Sequence, residues 1–220
     1  MKYVDFASRE TLVKNYVNDP NVITENIVET DIVTDGNPID GFVDAASLDY
    51  VVASHVFEHL PDPIRWLQSN LKLLKVGGRI GLALPDRRYC FDIAKPKSSL
   101  SDMVCAYVES RTKPSFAQVV QHIFDTRKVV AGDAWAGQTT ASNAPLIRSP
   151  REALNGVTAL YKRTDYIDAH CWKFSDQEFF DLIGEVKALF ALPMDVVAFW
   201  PTQVGQLEFF VSVEKTAGPV

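Results

Sequence analysis

The chain predicts an α/β fold, a mostly parallel sheet that closes in an antiparallel hairpin, with a helical insertion before the last helix. Three observations carry this. Asp49 to Leu84 reads as strand, helix, glycine turn and apolar strand, a βαβ unit whose crossover implies parallel pairing. Two strand patterns follow the final amphipathic segment and are joined through Pro201 and Gly205. The stretch from Pro85 to His170 between them lacks sheet character.

The elements follow in order. Lys2 to Asp5 is a short strand-like piece. Ser8 caps a helix to about Val17, with Leu12, Val13, Tyr16 and Val17 on one face, and Asn18-Asp19-Pro20 stops it. Ile27 to Val33 reads as a strand and Asp35-Gly36-Asn37-Pro38 as a turn. Asp49 to Ser54 is a short apolar strand. Asp62 then caps a helix with Pro63 at its first position, where the missing N–H costs nothing. Ile64, Leu67, Leu71 and Leu74 form its stripe, Gly77 and Gly78 are expected to end it, and Arg79 to Leu84 is a buried strand.

Within the insertion, Leu100 to Arg111, Phe116 to Val130 and Arg151 to Arg163 look helical, and Gly132 to Asn143 reads as a small, polar, mobile loop. Ser175 and Glu178 make a capping box for a helix that buries Phe179, Leu182, Ile183, Val186 and Phe190. Met194 to Trp200 and Gln206 to Lys215 are the hairpin strands. The whole is expected to be one domain, residues 1–220, with residues 86–170 as insertion. An insertion at the carboxyl end of a sheet strand sits where α/β folds bind ligands. It reads as an acceptor-binding lid or as a cap that only covers apolar surface.

Composition excludes several classes. Of 220 residues 47% are hydrophobic and 23% charged, which is ordinary for a globular chain and unlike a disordered one. A net charge of -6 gives no electrostatic footprint for phosphate backbones, so nucleic acid is not an expected partner. No apolar run approaches the ~20 residues of a membrane helix, and no signal peptide is expected at the start. Cys90, Cys105 and Cys171 form no C-x-x-C pair and read as reduced thiols of a cytoplasmic protein.

At Ala53 to Asp86, ASHVFEHLPDPIRWLQSNLKLLKVGGRIGLALPD, the sequence resembles the S-adenosylmethionine-dependent methyltransferases of the Rossmann-like, type 11-like group. Their strand ends in a small residue, followed by an E-H-L-x-D-P link, a helix and a K-x-G-G turn into the next strand. The segments Asp86 to Asp92 and Asp168 to Phe174 narrow the resemblance to a bacterial subgroup often linked with cell-surface saccharide clusters. The resemblance covers the whole chain and implies a Rossmann-like methyltransferase sheet, S-adenosylmethionine as cofactor, and a small-molecule or saccharide acceptor.

One departure stands out. Members of the family open with a strand, a glycine-rich loop and a helix, whose backbone amides hold the amino-acid end of the cofactor. This chain has eleven glycines and no G-x-G pair. Aligned on the motifs, Met1 to Asp5 is already the family's second strand, so the first strand and helix are expected to be absent. Three accounts stand: a fragment or mis-assigned start, a partner chain that supplies the strand, or a shortened, non-catalytic relative. Exposed strand edges favour dimerisation, so a homodimer is an expected state.

The resemblance implies the cofactor residues. Asp5 matches the acid that binds the ribose hydroxyls, Asp31 the position near the adenine, and Ser54 and His55 the post-strand position beside the cofactor. Asp168, His170 and Trp172 have period two and share a face if extended, so Asp168 is expected to orient His170 as the catalytic base. No metal is expected: Glu58 and His59 read as ordering the link by hydrogen bonds, the alternative being a divalent-ion pair that resembles the Glu-His pair of some quinone-type O-methyltransferases. His55 to His59 also spells H-x-x-E-H, a zinc hydrolase pattern that needs a long helix, while Pro61 and Pro63 allow only a loop or single turn. Arg87, Arg88 and Tyr89 read as acceptor contacts or as a solvated charged turn, and His122 as a packing residue.

Overall fold

A computed structural model describes residues 1–18, 22–161, 163 and 165–218. The expected stop at Asn18-Asp19-Pro20 falls largely outside them.

The elements are strand β1 (Val4–Asp5), helix α1 (Arg9–Tyr16), β2 (Ile32–Val33), β3 (Leu48–Ser54), α2 (Pro63–Leu73), β4 (Leu74–Pro85), α3 (Leu100–Val108), α4 (Phe116–Asp125), α5 (Ala131–Trp135), α6 (Pro150–Leu160), α7 (Asp176–Phe190), β5 (Met194–Trp200) and β6 (Glu208–Lys215). The α/β class holds. β1 pairs with β2 and β3 with β4, both in parallel, while β6 runs antiparallel to β4 and to β5. The strands fall into a two-stranded sheet, β1-β2, and a four-stranded one in the order β3-β4-β6-β5. Among the described residues no strand joins the two sheets. The outer edge of β3 carries no ladder partner there, and Tyr50 and Val52 stand exposed on this strand.

Local chemistry explains most boundaries. Ser8, Asp62 and Ser175 accept from the amides three residues on, as their caps predict. Four expectations shift. The strand foreseen over Ile27 to Val33 shrinks to β2, because Thr24–Asn26 forms a 3-10 turn ahead of it. Gly77 and Gly78 do not end α2, which stops at Leu73, but serve the entry of β4. Gly77 has a φ of 82°, and a Cβ on Gly78 would lie 2.9 Å from the Lys75 carbonyl and 3.1 Å from that of Asp49. The expected helix to Val130 ends at Asp125. The loop foreseen over Gly132 to Asn143 begins inside α5.

The core lies between β4, β6, α2 and α7. Ile64, Leu67, Leu71, Ile80, Leu82, Leu84, Phe179, Ile183, Val186, Phe209 and Val213 are buried together. Phe57, from the link after β3, seats its ring 5.5 Å from Phe179 in an edge-on contact and 5.9 Å from Trp66. That anchor fixes where the residues around it point.

Candidate active site

The site begins where β3 ends. Pairing with β4 runs to Ser54 opposite Ala83, and the amide of His55 still bonds the Ala83 carbonyl at 3.0 Å. His55 then takes a φ of 51°, a left-handed conformation uncommon outside glycine, and the chain leaves the sheet. Phe57–His59 makes one 3-10 turn, and Asp62 starts α2. No long helix places His55 and His59 on one face, so the H-x-x-E-H hydrolase geometry is not formed.

A second segment is laced to this turn. The amides of Cys171 and Trp172 both bond the Glu58 carbonyl, at 2.7 and 3.1 Å. Trp172 Nε1 donates to the Leu60 carbonyl at 2.6 Å, and the Tyr166 hydroxyl to that of His59 at 3.3 Å. Trp172 itself is buried in the core. The result brings Glu58, His59 and His170 together.

The carboxylate–histidine pairing differs from the expected one. Asp168 does not orient His170; its Oδ1 lies 2.7 Å from His59 Nδ1. His170 instead places Nδ1 2.6 Å from Asp92 Oδ2, a carboxylate 78 positions earlier in the chain. The two imidazoles meet edge-on, with ring centres 4.6 Å apart. A two-residue period fixes only which side a residue faces, whereas the partner on that side is set by the long-range fold.

Asp92 is buried and pairs also with Lys95 Nζ at 2.5 Å. Burial opposes its charge, but the His170 hydrogen bond and Lys95 outweigh that and hold its carboxyl at about 2. For His59, burial works against protonation, and the Asp168 carboxylate overcomes it and raises its affinity for a proton. The His122 ring lies 6.0 Å from Phe91 and 6.1 Å from His170. Its Nδ1 accepts from the His170 amide at 3.3 Å, and burial drives its pKa to about 4.

The expected cofactor residues do not form one group. Asp5 closes β1, half-buried, and accepts from the Ala7 amide at 3.1 Å. Ser54 is exposed at the carboxyl end of β3. Asp31 stands one residue ahead of β2, and its carboxylate takes the Tyr3 amide at 2.7 Å. The register puts it beside Tyr3, at the amino end of the pair. His55 is held by Glu208 at 2.8 Å and faces Glu58 at 3.4 Å. The Glu58 and then Glu208 carboxylates outweigh its burial and raise its pKa to about 9.

A cleft of ~720 Å³ opens over this floor. Its walls include His55, Glu58, His59, Tyr89, Asp133 and His170, so it lies past the ends of β3 and β4 and beneath the insertion. Tyr89 stacks on Trp135 at 4.0 Å. The arginines beside it are engaged elsewhere. Arg87 forms a two-pronged pair with Glu178, and Arg88 binds Asp86 and Asp176.

A strand-and-helix sheet with a cleft at the carboxyl ends of its strands is the Rossmann-like arrangement, in which ligands bind at that end. A family model described as a methyltransferase domain matches residues 4–139, and the chain belongs to that family. Its cofactor is S-adenosylmethionine, and it needs a methyl acceptor as second substrate. Solved structures with similar folds include an S-adenosylmethionine-dependent methyltransferase from Methanosarcina mazei (14% identity, 97% of this chain and 80% of that one, TM-score 0.41). Another is a possible histamine N-methyltransferase from Thermotoga maritima (13% identity, 99% and 73%, TM-score 0.40). A third is described as a Zn-dependent alcohol dehydrogenase from Rhodobacter sphaeroides (11% identity, 97% and 75%, TM-score 0.45). The assignment rests on the family match. Comparison with curated proteins finds no match. Among the described residues no helix is long and apolar enough to cross a membrane.

Asp5 closes β1 half-buried and Ser54 ends β3 in the open, so both stand at the carboxyl ends of parallel strands, where α/β folds bind ligands. The glycine-rich loop that takes the amino-acid half of the cofactor has no counterpart in the sequence.

Proposed function

We propose that this chain transfers a methyl group from S-adenosylmethionine to a hydroxyl of a small-molecule or saccharide acceptor bound in the cleft above Glu58, His59 and His170. One observation carries the reading. The cleft floor holds two imidazoles, each fixed at Nδ1 by a carboxylate, which leaves Nε2 of each as the nitrogen able to meet an acceptor. In-line displacement at a sulfonium needs the acceptor oxygen placed and relieved of its proton, and an oriented polar floor serves both ends. His170 is positioned by Asp92, and Asp168 acts through His59. Asp5 and Ser54 would hold the nucleoside of the cofactor.

Activity on this reading requires the strand position next to β3 to be filled. Calorimetric titration with S-adenosylmethionine and S-adenosylhomocysteine tests it, followed by transfer of labelled methyl to a panel of saccharides and small alcohols. Micromolar binding and labelled product are expected. A folded chain that binds neither compound, even with a peptide supplying the missing strand and loop, would sink the proposal.

A second reading rests on the open edge of β3, where Tyr50 and Val52 are exposed. Here the chain is a non-catalytic methyltransferase-like domain that adds a partner strand or a second copy. Sedimentation of the pure chain separates the two: a concentration-dependent dimer that binds no cofactor favours it.

A further inference from the structure

Among the described residues Glu58 has two buried polar atoms without a hydrogen-bond partner, where Asp92, Lys95 and Arg127 have one each. Glu58 is fully buried, and neither carboxylate oxygen accepts a hydrogen bond from any described residue. His55 Nδ1 and His59 Nε2 stand 3.4 and 3.9 Å from its Oε1, attractive but too long to satisfy it. A buried carboxylate costs several kcal/mol unless nearby cations and hydrogen bonds compensate it, on the order given for desolvated ions; His55 stands beside Oε1 without satisfying its hydrogen bonding, and Oε2 has no hydrogen-bond partner among the described residues. Its neighbours are two histidines, and one ligand atom from each of Glu58, His59 and His170 lies within 4.8 Å of the others.

The structure assigns these three residues, we propose, as the ligands of a divalent first-row transition cation. Their chemistry fits the class: two imidazoles and one carboxylate make a three-cornered set that leaves positions open for substrate or water. The surroundings fit as well. A metal-binding histidine almost always donates its other ring N–H to a carboxylate or carbonyl, which fixes the tautomer and the ring. His59 meets that condition through Asp168 at 2.7 Å and His170 through Asp92 at 2.6 Å. All three ligands line the cleft, so the open positions face the acceptor's space. A cation about 2.1 Å from each ligand needs them to draw together by roughly an ångström, a movement of side chains and not of the laced backbone.

The assignment gives His170 a ligand's role in place of the direct base suggested by the sequence, and Nε2 of His59 and of His170 would then meet the acceptor through the cation and not directly. It also separates the set from the H-x-x-E-H pattern: His55 points to Glu208, and the third ligand comes from the far segment. The purpose of the cation, to hold the acceptor oxygen, rests on the proposed methyl transfer. The site itself does not.

The test reads metal binding alone. The full chain, stripped with a chelator, is titrated with Co²⁺ and then Zn²⁺, following visible absorption and thermal stability. One saturable equivalent of Co²⁺ displaced by Zn²⁺ is expected, with a higher melting temperature because the cation binds only the folded state. Glu58→Gln, which keeps shape and removes the buried charge, is expected to abolish binding. His170→Ala and His59→Gln should do the same, and Asp168→Asn should weaken it by roughly 10–100-fold. Circular dichroism establishes that each variant folds. No saturable binding by the folded chain overturns the inference. So does loss of binding in His55→Ala with retention in His170→Ala. A chain that binds one cation but transfers no methyl leaves the metal site standing and rejects the enzyme.

Discussion

His59 and Asp168 are joined side chain to side chain at 2.7 Å across 109 positions of sequence, and this bond ties the turn after β3 to the segment that ends the insertion. Asp168 is half-exposed, so little packing depends on it. Asp168→Asn is therefore expected to keep the fold, with a melting temperature within about 2 °C of the parent, since exposed substitutions usually cost under ~0.5 kcal/mol. It should still lower methyl transfer by at least about tenfold, the scale of losing an orienting partner of a site histidine. Equal activity in parent and variant would remove Asp168 from the site.

Trp172 bears on stability instead. Its ring is buried, and its Nε1 donates to the Leu60 carbonyl at 2.6 Å. Trp172→Ala should lose about 3–5 kcal/mol in urea unfolding, as large core truncations do. Trp172→Phe keeps most of the apolar contact and strands one carbonyl, for a loss of about 1–3 kcal/mol.

Acid should act through Glu178. Its carboxylate takes both arms of Arg87 at 2.8 Å and the Ser175 amide at the start of α7. The Arg87 hydrogen bonds, against some burial, lower its pKa from 4.5 to about 2. A carboxylate more acidic in the folded state stabilises that state above its unfolded pKa and ceases to as pH falls through the folded one. The pair should thus contribute roughly 2–3 kcal/mol at neutral pH, lost between about pH 4.5 and pH 2. Glu178→Gln should lower stability at pH 7 and flatten that part of the acid profile. Parallel profiles for the two proteins would show that the pair contributes nothing.

Gly78 is required by contact and not by backbone angle. A methyl there meets two carbonyl oxygens within 3.1 Å, and backbone cannot step aside as a flexible side chain does. Gly78→Ala is expected to cost about 1–3 kcal/mol in thermal unfolding. Gly41→Ala, with no atom within 4 Å of its Cβ, is the matched control and should be near neutral.

The elements that the sequence made legible are those whose signals are local. Ser8, Asp62 and Ser175 each announced a helix start because a cap bonds amides two or three residues away. The βαβ unit and the closing hairpin were legible from apolar period and punctuation, since one face of each must be buried. The strand expected over Ile27 to Val33 was overcalled, because apolar residues there are too few and too irregular to tell a strand from a turn.

The site followed the opposite rule. Glu58, His59, Asp168 and His170 all stood out in the sequence, yet their partnerships did not. Asp92 reaches His170 across 78 positions and Asp168 reaches His59 across 109, and no period or spacing encodes contacts of that span. What the sequence determined by itself was the class of fold and the family, both carried by short-range pattern; it did not bring Glu58, His59 and His170 into one cluster. What only the tertiary structure decided was which carboxylate holds which imidazole, and that Glu58 is left buried without a hydrogen bond. Those depend on how two distant segments are laced by backbone hydrogen bonds around Phe57 and Trp172 in a shared core.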